Sequence, residues 1–551
     1  MLFAAVCVPY VLLAWRFWFV TDDAYISFRY ARNLALGHGL RYNLWNQPPV
    51  EGYSNFLWVL VCSVFEFLRL DMTFWPLLVS LACGGVVLWL VLHMLRDELG
   101  ASAPAAGLAT LALACFPPFA LWASGGLATM PFTLLLLLLF ERLVSRRGGP
   151  DVLGGTLAGL GLVLIRIEGI GWFVVIVVIA AVSWRMRGRR VLRPLGICLA
   201  IVVAGYATYF AWRYAYYGLP LPNTAYAKAA LDVRRLGRGV NYAVTFLLTF
   251  ISPIVLLPAG AAALRRNRRP LGLAVLTMVV AFVVYAIVVT GDFMAMGRFF
   301  VPAAPFGAIL LAWLLEDLMR GGVTRRVAGV VTCAAVIAFG LLPGWNVHVV
   351  PRRVRERFRF RFNTRNYETE FDRWQSQKRN VAQWRGRALR IYADRRGLHD
   401  PIPTCVAGAI GAVGYYSGYN IYDMYGLVTA EVGRRKLRAD EPLRSPGHDK
   451  GVDREYFLKY TPTVWDARLL GDTPQPLAAE VCRRQAEKLR DLHLADRYVV
   501  DCLHLPDDFE HGEYLVVTVR IASGTTPKAA WARFRKLVRD LAAGRRGAKE
   551  R

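Results

Sequence analysis

Long apolar stretches dominate the first 344 residues and then stop. A helix that spans a bilayer needs about 20 mostly apolar residues, and eleven stretches approach that length. We therefore predict a polytopic α-helical membrane protein with about eleven transmembrane helices. The predicted spans cover residues 3–20, 76–95, 103–122, 130–145, 152–167, 170–184, 192–213, 241–263, 271–290, 299–318 and 327–344.

The overall composition argues against two classes of soluble protein. Hydrophobic residues make up 55% of the 551 residues, charged residues only 19%, and the mean hydropathy is +0.34. Soluble domains carry about 25% charged residues. Although the net charge is +27, this apolar content excludes a disordered basic chain and argues against a soluble nucleic-acid-binding protein. We expect membrane lipid, and no nucleic acid, among the partners.

The positive charge predicts how the spans are oriented. Lysine and arginine in short loops mark the cytoplasmic side, and four arginine clusters are separated from one another by two predicted spans. These clusters lie at residues 146–147, 185–193, 265–269 and 320–326. The loops at 21–76, after Tyr217 and at 291–298 then lie outside, together with everything after residue 344. Residues 54–70 are apolar but contain Glu66, and we predict that they form an interfacial helix.

Residues 345–551 are predicted to form a separate α/β domain on the outer side. Residue patterns predict strands at 404–412, 498–502 and 513–520, and helices at 375–397, 478–495 and 528–541. This tail contains three cysteines, an odd number that does not indicate a disulfide framework. One disulfide is the alternative to free thiols, and Cys482 with Cys502 is then the preferred pair.

The first outer loop opens with two adjacent carboxylates, Asp22 and Asp23. Thr21 is a suitable helix N-cap, and the helix dipole favours anions in the first turn. The predicted helix runs to Leu36, and its spacing places Asp22 and Arg29 on one face. The alternative to a functional role is capping together with an ordinary ion pair. Because one capping residue is sufficient, the second aspartate favours a functional role.

Two further polar groups lie on the same predicted side within the first 170 residues. The run from Glu51 to Asn55 precedes the interfacial helix, and helix capping is its alternative role. Arg166 and Glu168 separate two predicted spans. Charged residues at membrane depth are costly and often mark functional sites, whereas a mutual ion pair is the structural alternative.

Two more polar groups follow in the later outer loops. Tyrosines and Lys228 in residues 216–228 suit sugar stacking and phosphate binding, but they equally suit an aromatic belt at the membrane surface. The tight turn at 291–298 contains Asp292 and Arg298. A guanidinium group binds phosphate oxygens in a fork, and the alternative is an ion pair that closes the turn.

Metal-binding and nucleotide-binding motifs are absent from the sequence. The cysteines have no metal-ligand spacing, and there is no Walker loop, GxGxxG or HExxH motif. Asp22 and Asp23 together are able to hold a divalent ion, but no further ligand set accompanies them. We therefore predict no required cofactor, and a divalent metal stays an alternative.

Eight short motifs follow one another along the chain. They are Asp22-Asp23-x5-Arg29, Gly37-His38-Gly39, Val50-Glu51-Gly52-Tyr53-Ser54-Asn55, Arg166-x-Glu168-Gly169, Pro222-Asn223-Thr224-x-Tyr226-x-Lys228, Gly291-Asp292-Phe293-x4-Arg298-Phe299, Asp423-Met424-x-Gly426-Leu427 and Pro446-Gly447-His448-Asp449-Lys450. In this order they resemble the motifs of the GT-C superfamily of polyprenyl-phosphate-sugar-dependent membrane glycosyltransferases, and most of all its bacterial arabinofuranosyltransferase branch. The sequence departs from the family pattern at Ile167, where members often have proline, and at Ala128, where they often have glutamate.

The resemblance implies a GT-C fold with two juxtamembrane helices in the first outer loop and a catalytic aspartate at their start. It implies that the donor is a polyprenyl-phosphate sugar, with arabinofuranose as the preferred candidate for the sugar. The acceptor is then a hydroxyl group on a cell-envelope glycan or glycoconjugate. Residues 1–344 are then the catalytic domain, in the bacterial plasma membrane, with the active site and the tail on the periplasmic side.

For a transferase of this kind, we expect the following roles for individual residues. Asp22 is expected to be the general base, and Asp23 is expected to orient it or to hold the acceptor. In the tail, Trp374, Tyr415, Tyr416 and Tyr419 are expected either to bind glycan or to pack in the core. The residues expected to bind the donor phosphate are Arg298, Lys228, Arg166 and Arg29. The residues expected to bind substrate are Glu51, Tyr53, Asn55, Glu168, Asn223, Tyr226, Asp292 and His448.

Three alternative functions fit the same sequence. The first is a transporter or flippase of lipid-linked sugars. The second is a GT-C enzyme that transfers a polyprenyl-phosphate hexose to a lipid or protein, and the third is a scaffold without catalytic activity. The clustering of charged residues near the outer ends of the spans favours an enzyme over a transporter. A scaffold predicts that Asp22 and Asp23 are dispensable.

Overall fold

The computed structural model describes residues 2–228, 233–250, 252–265, 268–353, 369–438, 440–471 and 474–544. Arg266, in one of the predicted cytoplasmic clusters, lies outside these residues. The part before residue 345 is helical. Its helices are α1 Leu2–Arg16, α2 Asp22–Ala35, α3 Phe56–Phe67, α4 Trp75–His93, α5 Ala103–Ala114, α6 Pro117–Leu121, α7 Thr129–Phe140, α8 Val152–Ile165, α9 Gly169–Met186, α10 Leu192–Tyr217, α11 Asn223–Lys228, α12 Val233–Thr249, α13 Ser252–Ala263, α14 Arg269–Val288, α15 Ala304–Met319 and α16 Val323–Leu341.

Short helical segments of other types extend several of these helices. The π-helical segments Met94–Glu98 and Glu141–Ser145 follow α4 and α7. A 3-10 segment, Ala295–Ala303, precedes α15, and another, Leu342–Trp345, follows α16. The segment before α15 is kinked at Met296 and Gly297, whose φ angles are 56° and 57°. This kink lies in the turn that carries Arg298, which is predicted to be on the outer side.

The helices agree with a multi-pass membrane protein. Each of the eleven predicted spans overlaps a helix. Within the described residues, six helical segments are long and apolar enough to cross a bilayer, and a seventh is added if α12 and the following helix cross as one bent span. The number of spans stays a prediction, because α1, α5 and α8 are apolar but shorter.

The first outer loop contains two helices, as the sequence predicts. The first is α2, which ends before Gly37 and Gly39, whose φ angles of 82° and 76° suit glycine. The second is α3, inside the predicted interfacial segment. The Trp58 side chain in α3 is buried, and its Nε1 donates to the Gly126 carbonyl at 3.1 Å.

The tail folds around a five-stranded mixed sheet. Its spatial order is β2-β1-β3-β5-β4, with β1 parallel to β2 and β3, and β5 antiparallel to β3 and β4. The strands are β1 Thr404–Ala407, β2 Asn420–Asp423, β3 Val464–Leu470, β4 Tyr498–His504 and β5 Tyr514–Arg520. The helices are Glu370–Arg379, Val381–Arg396, Gly411–Ser417, Ala430–Arg434, Gln475–Asp491 and Pro527–Ala542, and Arg454–Tyr460 is a 3-10 segment.

The structure corrects several predictions for the tail. The strand predicted at 404–412 ends at Ala407, because the chain turns there and begins a helix at Gly411. The helix predicted at 375–397 is interrupted at Asn380, whose φ of 31° breaks the helical path. Two strands escaped prediction, since β2 has only four residues and β3 contains charged residues among its apolar ones.

The preferred cysteine pair is not joined by a disulfide. Both Cys482 and Cys502 are buried free thiols. A hydrogen bond with the Cys482 thiol, together with burial, raises the pKa of Cys502. The two side chains are thus neighbours, as the prediction required, but the bond between them is not formed.

The tail docks on α2 through the short helix Gly411–Ser417. The Asp22 carboxylate accepts hydrogen bonds from the backbone N–H groups of Gly411 at 3.0 Å and Ala412 at 2.9 Å. Two turns further along α2, the Arg29 guanidinium donates to backbone carbonyls at the other end of the same helix. The accepting residues are Gly414, Gly418 and Tyr419. The face of α2 predicted to carry Asp22 and Arg29 is therefore the docking face.

Gly411 is expected to be intolerant of a larger side chain. A Cβ atom at this position would lie 1.8 Å from the Asp22 carbonyl oxygen, and forced overpacking costs about 1–3 kcal/mol. We expect G411A to lower the melting temperature of the detergent-solubilised protein. The matched control is G196A in α10, where a Cβ has open space. Equal melting temperatures for the two variants would contradict this packing.

Candidate active site

Asp22 is held rigidly at the first turn of α2. Its two carboxylate oxygens each accept one tail N–H group. Desolvation raises the pKa of Asp22 to about 6, although these two amides lower it. Thr21 occupies the N-cap position, but its side chain makes no capping hydrogen bond. The hydrogen bonds of the Asp22 carboxylate run instead to the tail, to residues 389 and 390 positions away in the sequence.

Asp23 faces a different group of side chains, which we name the Asp23 cluster and define as Asp23, Lys228 and His448. Burial lowers the pKa of His448, and the charge of Lys228 lowers it further, whereas Asp23 raises it. The His448 ring lies between two aromatic rings, at 4.8 Å from Phe293 and 4.4 Å from Tyr425. Three predicted motifs thus meet here, from the first outer loop, α11 and the tail.

The Asp23 cluster contains a solvent-exposed cation, Lys228. Lys228 is exposed, and a Cβ on Gly447 would lie 3.3 Å from its Cε, which places the lysine beside the turn that carries His448. Within the part of the chain that the structure describes, the side chains of Asp23 and Lys228 form no hydrogen bond or salt bridge. The cluster therefore presents a carboxylate and an ammonium group whose hydrogen-bonding capacity is unused.

A second group brings Arg166, Glu168 and Arg298 together around one small cavity. Arg166 donates to Glu168, whose Oε1 also accepts from the Tyr285 hydroxyl at 3.2 Å. Arg298 donates from its Nε to Asp292 Oδ2 at 2.7 Å. The ion pairs considered as structural alternatives are thus present, and the two arginines nevertheless line the same cavity.

Glu51 is buried in an ion pair. Its carboxylate accepts from the Nε of Arg213, a residue of α10, at 2.8 Å, and both side chains are almost fully buried. Burial raises the pKa of Glu51 to about 7, although the Arg213 hydrogen bond lowers it. A carboxylate enclosed in this way supports the packing of the first outer loop against α10. Its predicted substrate contact has no open surface in this structure.

Tyr53 and Asn55 also make internal contacts. The Tyr53 ring is buried and its hydroxyl lies 3.2 Å from the Tyr217 hydroxyl. The Asn55 amide nitrogen donates at 3.0 Å to the Ser27 hydroxyl, one turn after Asp23 on α2. The Asn55 contact connects the start of α3 to α2, and the Tyr53 contact connects the same segment to the end of α10.

Asn223 and Tyr226 tie α11 to the tail. The Asn223 amide donates to the carbonyls of Gly426 at 2.6 Å and Leu427 at 2.9 Å. The Tyr226 carbonyl accepts from the Lys450 ammonium group at 2.7 Å. These two motif residues hold the loop that carries Lys228 against the segment that carries His448.

Several predicted ligand-binding residues lie inside the protein. Arg29, predicted to bind phosphate, is buried and directed at backbone carbonyls. Trp374, Tyr415 and Tyr419 are buried in the core, which favours packing over glycan binding. Tyr416 is half-buried at the surface of the tail.

Arg385, which sequence reasoning missed, is placed near the aspartates by the tail. It lies on the helix Val381–Arg396, and its charge lowers the pKa of Asp22. Burial lowers the pKa of Arg385 itself, and among the described residues its side chain has no hydrogen bond or salt bridge. Nothing in the sequence distinguishes it, since this helix contains five arginines.

Among the described residues, the aspartate pair does not belong to a cluster of three or more metal-ligand side chains. Within the described residues, His93, Glu98 and Glu141 form the group whose ligand atoms lie within 4.8 Å of one another. These residues belong to the predicted cytoplasmic ends of α4 and α7. Neither Asp22 nor Asp23 belongs to that group.

Comparisons with known proteins agree with this architecture. A family model described as a domain of unknown function (DUF8728) matches residues 366–517, inside the tail. Over nearly the full chain, the fold is similar to the crystal structure of ArnT from Cupriavidus metallidurans bound to undecaprenyl phosphate. The TM-score is 0.57 at 14% identity, covering 95% of this chain and 98% of ArnT. The chain has the GT-C fold. The ArnT structure in the apo state gives a TM-score of 0.55.

Two curated relatives share the name terminal β-(1→2)-arabinofuranosyltransferase. The protein from Corynebacterium glutamicum is 27% identical over 358 residues, which cover 56% of this chain and 50% of the relative. The protein from Mycobacterium tuberculosis is 29% identical over 289 residues, which cover 47% of this chain and 44% of the relative. The GT-C chain thus spans about half the length of the curated relatives it matches.

The buried pair of Glu51 and Arg213 predicts a stability effect. R213Q leaves the Glu51 carboxylate buried without its cation, and breaking a buried pair in this way costs about 3–5 kcal/mol. We expect R213Q to lower the melting temperature in detergent, and the double variant E51Q/R213Q to recover part of that loss. A stable E51Q variant that has lost substrate affinity would instead make Glu51 a substrate ligand.

Proposed function

We propose that this GT-C protein is a glycosyltransferase that moves a sugar from a polyprenyl-phosphate donor to a hydroxyl group of a cell-envelope glycan or glycoconjugate. Arabinofuranose is the proposed sugar, because both curated relatives are named arabinofuranosyltransferases. The polyprenyl-phosphate donor is supported by the undecaprenyl phosphate named in the ArnT structure. We place the reaction on the periplasmic side of the bacterial plasma membrane, where the charge pattern puts the aspartates.

The observation that carries this proposal is the convergence at the start of α2. A carboxylate held by two amides, a second carboxylate with unused hydrogen-bonding capacity, an exposed lysine and a histidine come from three separated segments. Perturbed pKa values cluster at functional sites. This set contains the groups that a transfer reaction needs, namely a base and a cation for the leaving group.

Asp22 is proposed as the general base. The acceptor oxygen forms a bond to the anomeric carbon, and its proton passes to the Asp22 carboxylate. The bond from the anomeric carbon to the phosphate oxygen breaks, and its electron pair leaves with the polyprenyl phosphate. A pKa of about 6 keeps Asp22 ionised and yet basic near neutral pH, which suits this role. Each oxygen keeps a further acceptor position beyond its amide bond.

Lys228 is proposed as the main partner of the leaving phosphate. It is exposed and without a carboxylate partner among the described residues, whereas Arg166 and Arg298 each already contact one carboxylate. The developing phosphate charge is therefore stabilised first by Lys228, and the two arginines add to the positive field of the site. Asp23 is proposed to orient the acceptor, and His448, its neighbour, to contact substrate.

Replacement of the base should abolish transfer. We expect D22N to lower kcat by about 100-fold or more, since general bases contribute about 10²–10⁴-fold. The assay measures product from labelled polyprenyl-phosphoryl arabinose in detergent, where no gradient exists, so product formation by the unmodified protein also excludes a pure transporter. A scaffold or a transporter would form no product in that assay.

A docking control separates catalysis from structure. Asn43 makes two hydrogen bonds to Ile421 in β2, away from the aspartates. N43A therefore weakens the contact with the tail without touching the site. We expect N43A to retain activity at a temperature where it is folded. Equal losses in N43A and D22N would assign Asp22 a docking role only.

The pH dependence tests the ionisation of Asp22. Because the base must be deprotonated, we expect kcat/KM to fall as the pH drops below about 6. R385Q removes a cation that lowers the pKa of Asp22, so the acidic limb should move to higher pH. The control is R390Q on the same helix, where an exposed arginine pairs with Asp394 at 3.3 Å. A uniform loss of activity at every pH in R385Q would contradict this role.

A further inference from the structure

A separate cleft lies between the C-terminal ends of α2 and α3 and the tail. Its volume is about 630 Å³. We name it the interfacial cleft and define it by three groups of lining residues. They are Arg32, Ala35 and Leu36 at the end of α2; residues 66–67 and 69–73 at and beyond the end of α3; and Arg387, Tyr415 and Tyr416 of the tail. The proposed reaction uses none of these residues.

The carboxylates of the cleft are already occupied. Glu66 lies 3.3 Å from the Nε of Arg32 and accepts a hydrogen bond from the Tyr415 hydroxyl at 2.7 Å. Asp71 accepts from the backbone N–H and the hydroxyl of Thr73 at 2.7 and 2.8 Å. Both carboxylates of the cleft thus already have partners inside the protein. The other polar groups of the cleft therefore determine which ligand binds there.

Two arginines in the cleft have no carboxylate partner in the described parts of the chain. Arg69 follows α3, and Arg387 projects from the tail helix. Among the described residues neither forms a salt bridge. The Arg387 guanidinium lies over two aromatic faces, with its carbon 4.8 Å from the centre of the Trp384 ring and 4.7 Å from the centre of the Tyr416 ring. Two guanidinium groups, contributed by the membrane-side helix and the tail, therefore border the cleft and favour an anion.

The aromatic rings of the cleft are poor platforms for an uncharged sugar. The Tyr415 ring is covered by the Arg32 guanidinium at 3.5 Å, and Tyr416 by Arg387. Sugar stacking needs an open ring face, whereas these faces hold cations. The rings hold the Arg32 and Arg387 guanidinium groups in place, which favours an anionic ligand over a sugar.

The rim of the cleft is apolar and exposed. Leu36 is 65% exposed, Phe67 73% and the adjacent Leu68 57%. These residues belong to the ends of α2 and α3, the helices predicted at the membrane surface. Exposed apolar groups beside arginines at this level suit a ligand with a charged headgroup and a hydrocarbon tail.

We propose that the interfacial cleft binds the phosphate headgroup of an anionic membrane phospholipid. Arg69 and Arg387 contact the phosphate oxygens, and the acyl chains pass over Leu36 and Phe67 into the bilayer. The lipid thereby bridges α3 and the tail. This site is distinct from the Asp23 cluster, and the proposal does not depend on the transferase reaction.

Lipid retention by the full-length protein tests this site. Protein from nanodiscs of phosphatidylglycerol and phosphatidylcholine in equal amounts is released into detergent, and native mass spectrometry counts the retained lipids. We expect retention of phosphatidylglycerol, at least tenfold weaker binding in R69Q/R387Q, and recovery in R69K/R387K. The charge-matched control is R390Q/R438Q, which alters two exposed arginines outside the cleft and should bind normally.

Competition identifies the source of the phosphate. Inorganic phosphate should not displace phosphatidylglycerol at millimolar concentration, because it lacks the chains that contact the rim. Displacement by inorganic phosphate would overturn the lipid assignment. Stronger binding of undecaprenyl phosphate would make the cleft a donor site instead. Equal retention in R69Q/R387Q and R390Q/R438Q, or equal retention of both phospholipids, would also overturn the proposal.

Discussion

The contact between α2 and the short helix Gly411–Ser417 is the interaction on which the candidate site depends. A helix has positive potential at its N-terminus and negative potential at its C-terminus. Asp22 accepts from the N–H groups at the first end, and Arg29 donates to carbonyls at the second. Both ends of the short helix are thus satisfied by one face of α2, which fixes the orientation and register of the tail.

The proposed base is therefore positioned by the tail, although it belongs to the membrane part of the chain. The same docking brings His448 toward Asp23 and Lys228, and Arg385 toward Asp22. The internal contacts of Asn55 and Asn223 support this arrangement from neighbouring segments. This contact and site assembly are consequently one structural event, and a variant that breaks the contact between α2 and the short helix also disturbs the site.

The basic residues that give the chain its net charge of +27 have several different partners. Many arginines in the folded chain contact carboxylates, as Arg213, Arg298 and Arg166 do. Arg29 instead neutralises helix carbonyls. The cations without such partners among the described residues include Lys228 beside the aspartates and Arg69 with Arg387 in the interfacial cleft. These unpaired cations, more than the total charge, indicate where anions bind.

Much of the fold was predictable from local patterns. Apolar length placed each predicted span on a helix, and residue patterns placed β4 and β5. Prediction failed where the deciding contact is distant in the sequence. β2 is short and β3 carries charges, so both are recognisable mainly through their neighbours in the sheet. Likewise, spacing placed Asp22 and Arg29 on one face but could not show that a helix almost 390 residues away covers it.

For the candidate site, the sequence by itself determined the motif residues and predicted their common side of the membrane, because the bilayer imposes length and charge rules that act locally. Only the tertiary structure separated these residues by role. Glu51, Tyr53 and Arg29 became internal supports because they are buried with partners. Asp23, Lys228 and His448 formed a cluster, and Arg385 joined the site. Burial and long-range electrostatics decide these roles, and both exist only once the chain has folded.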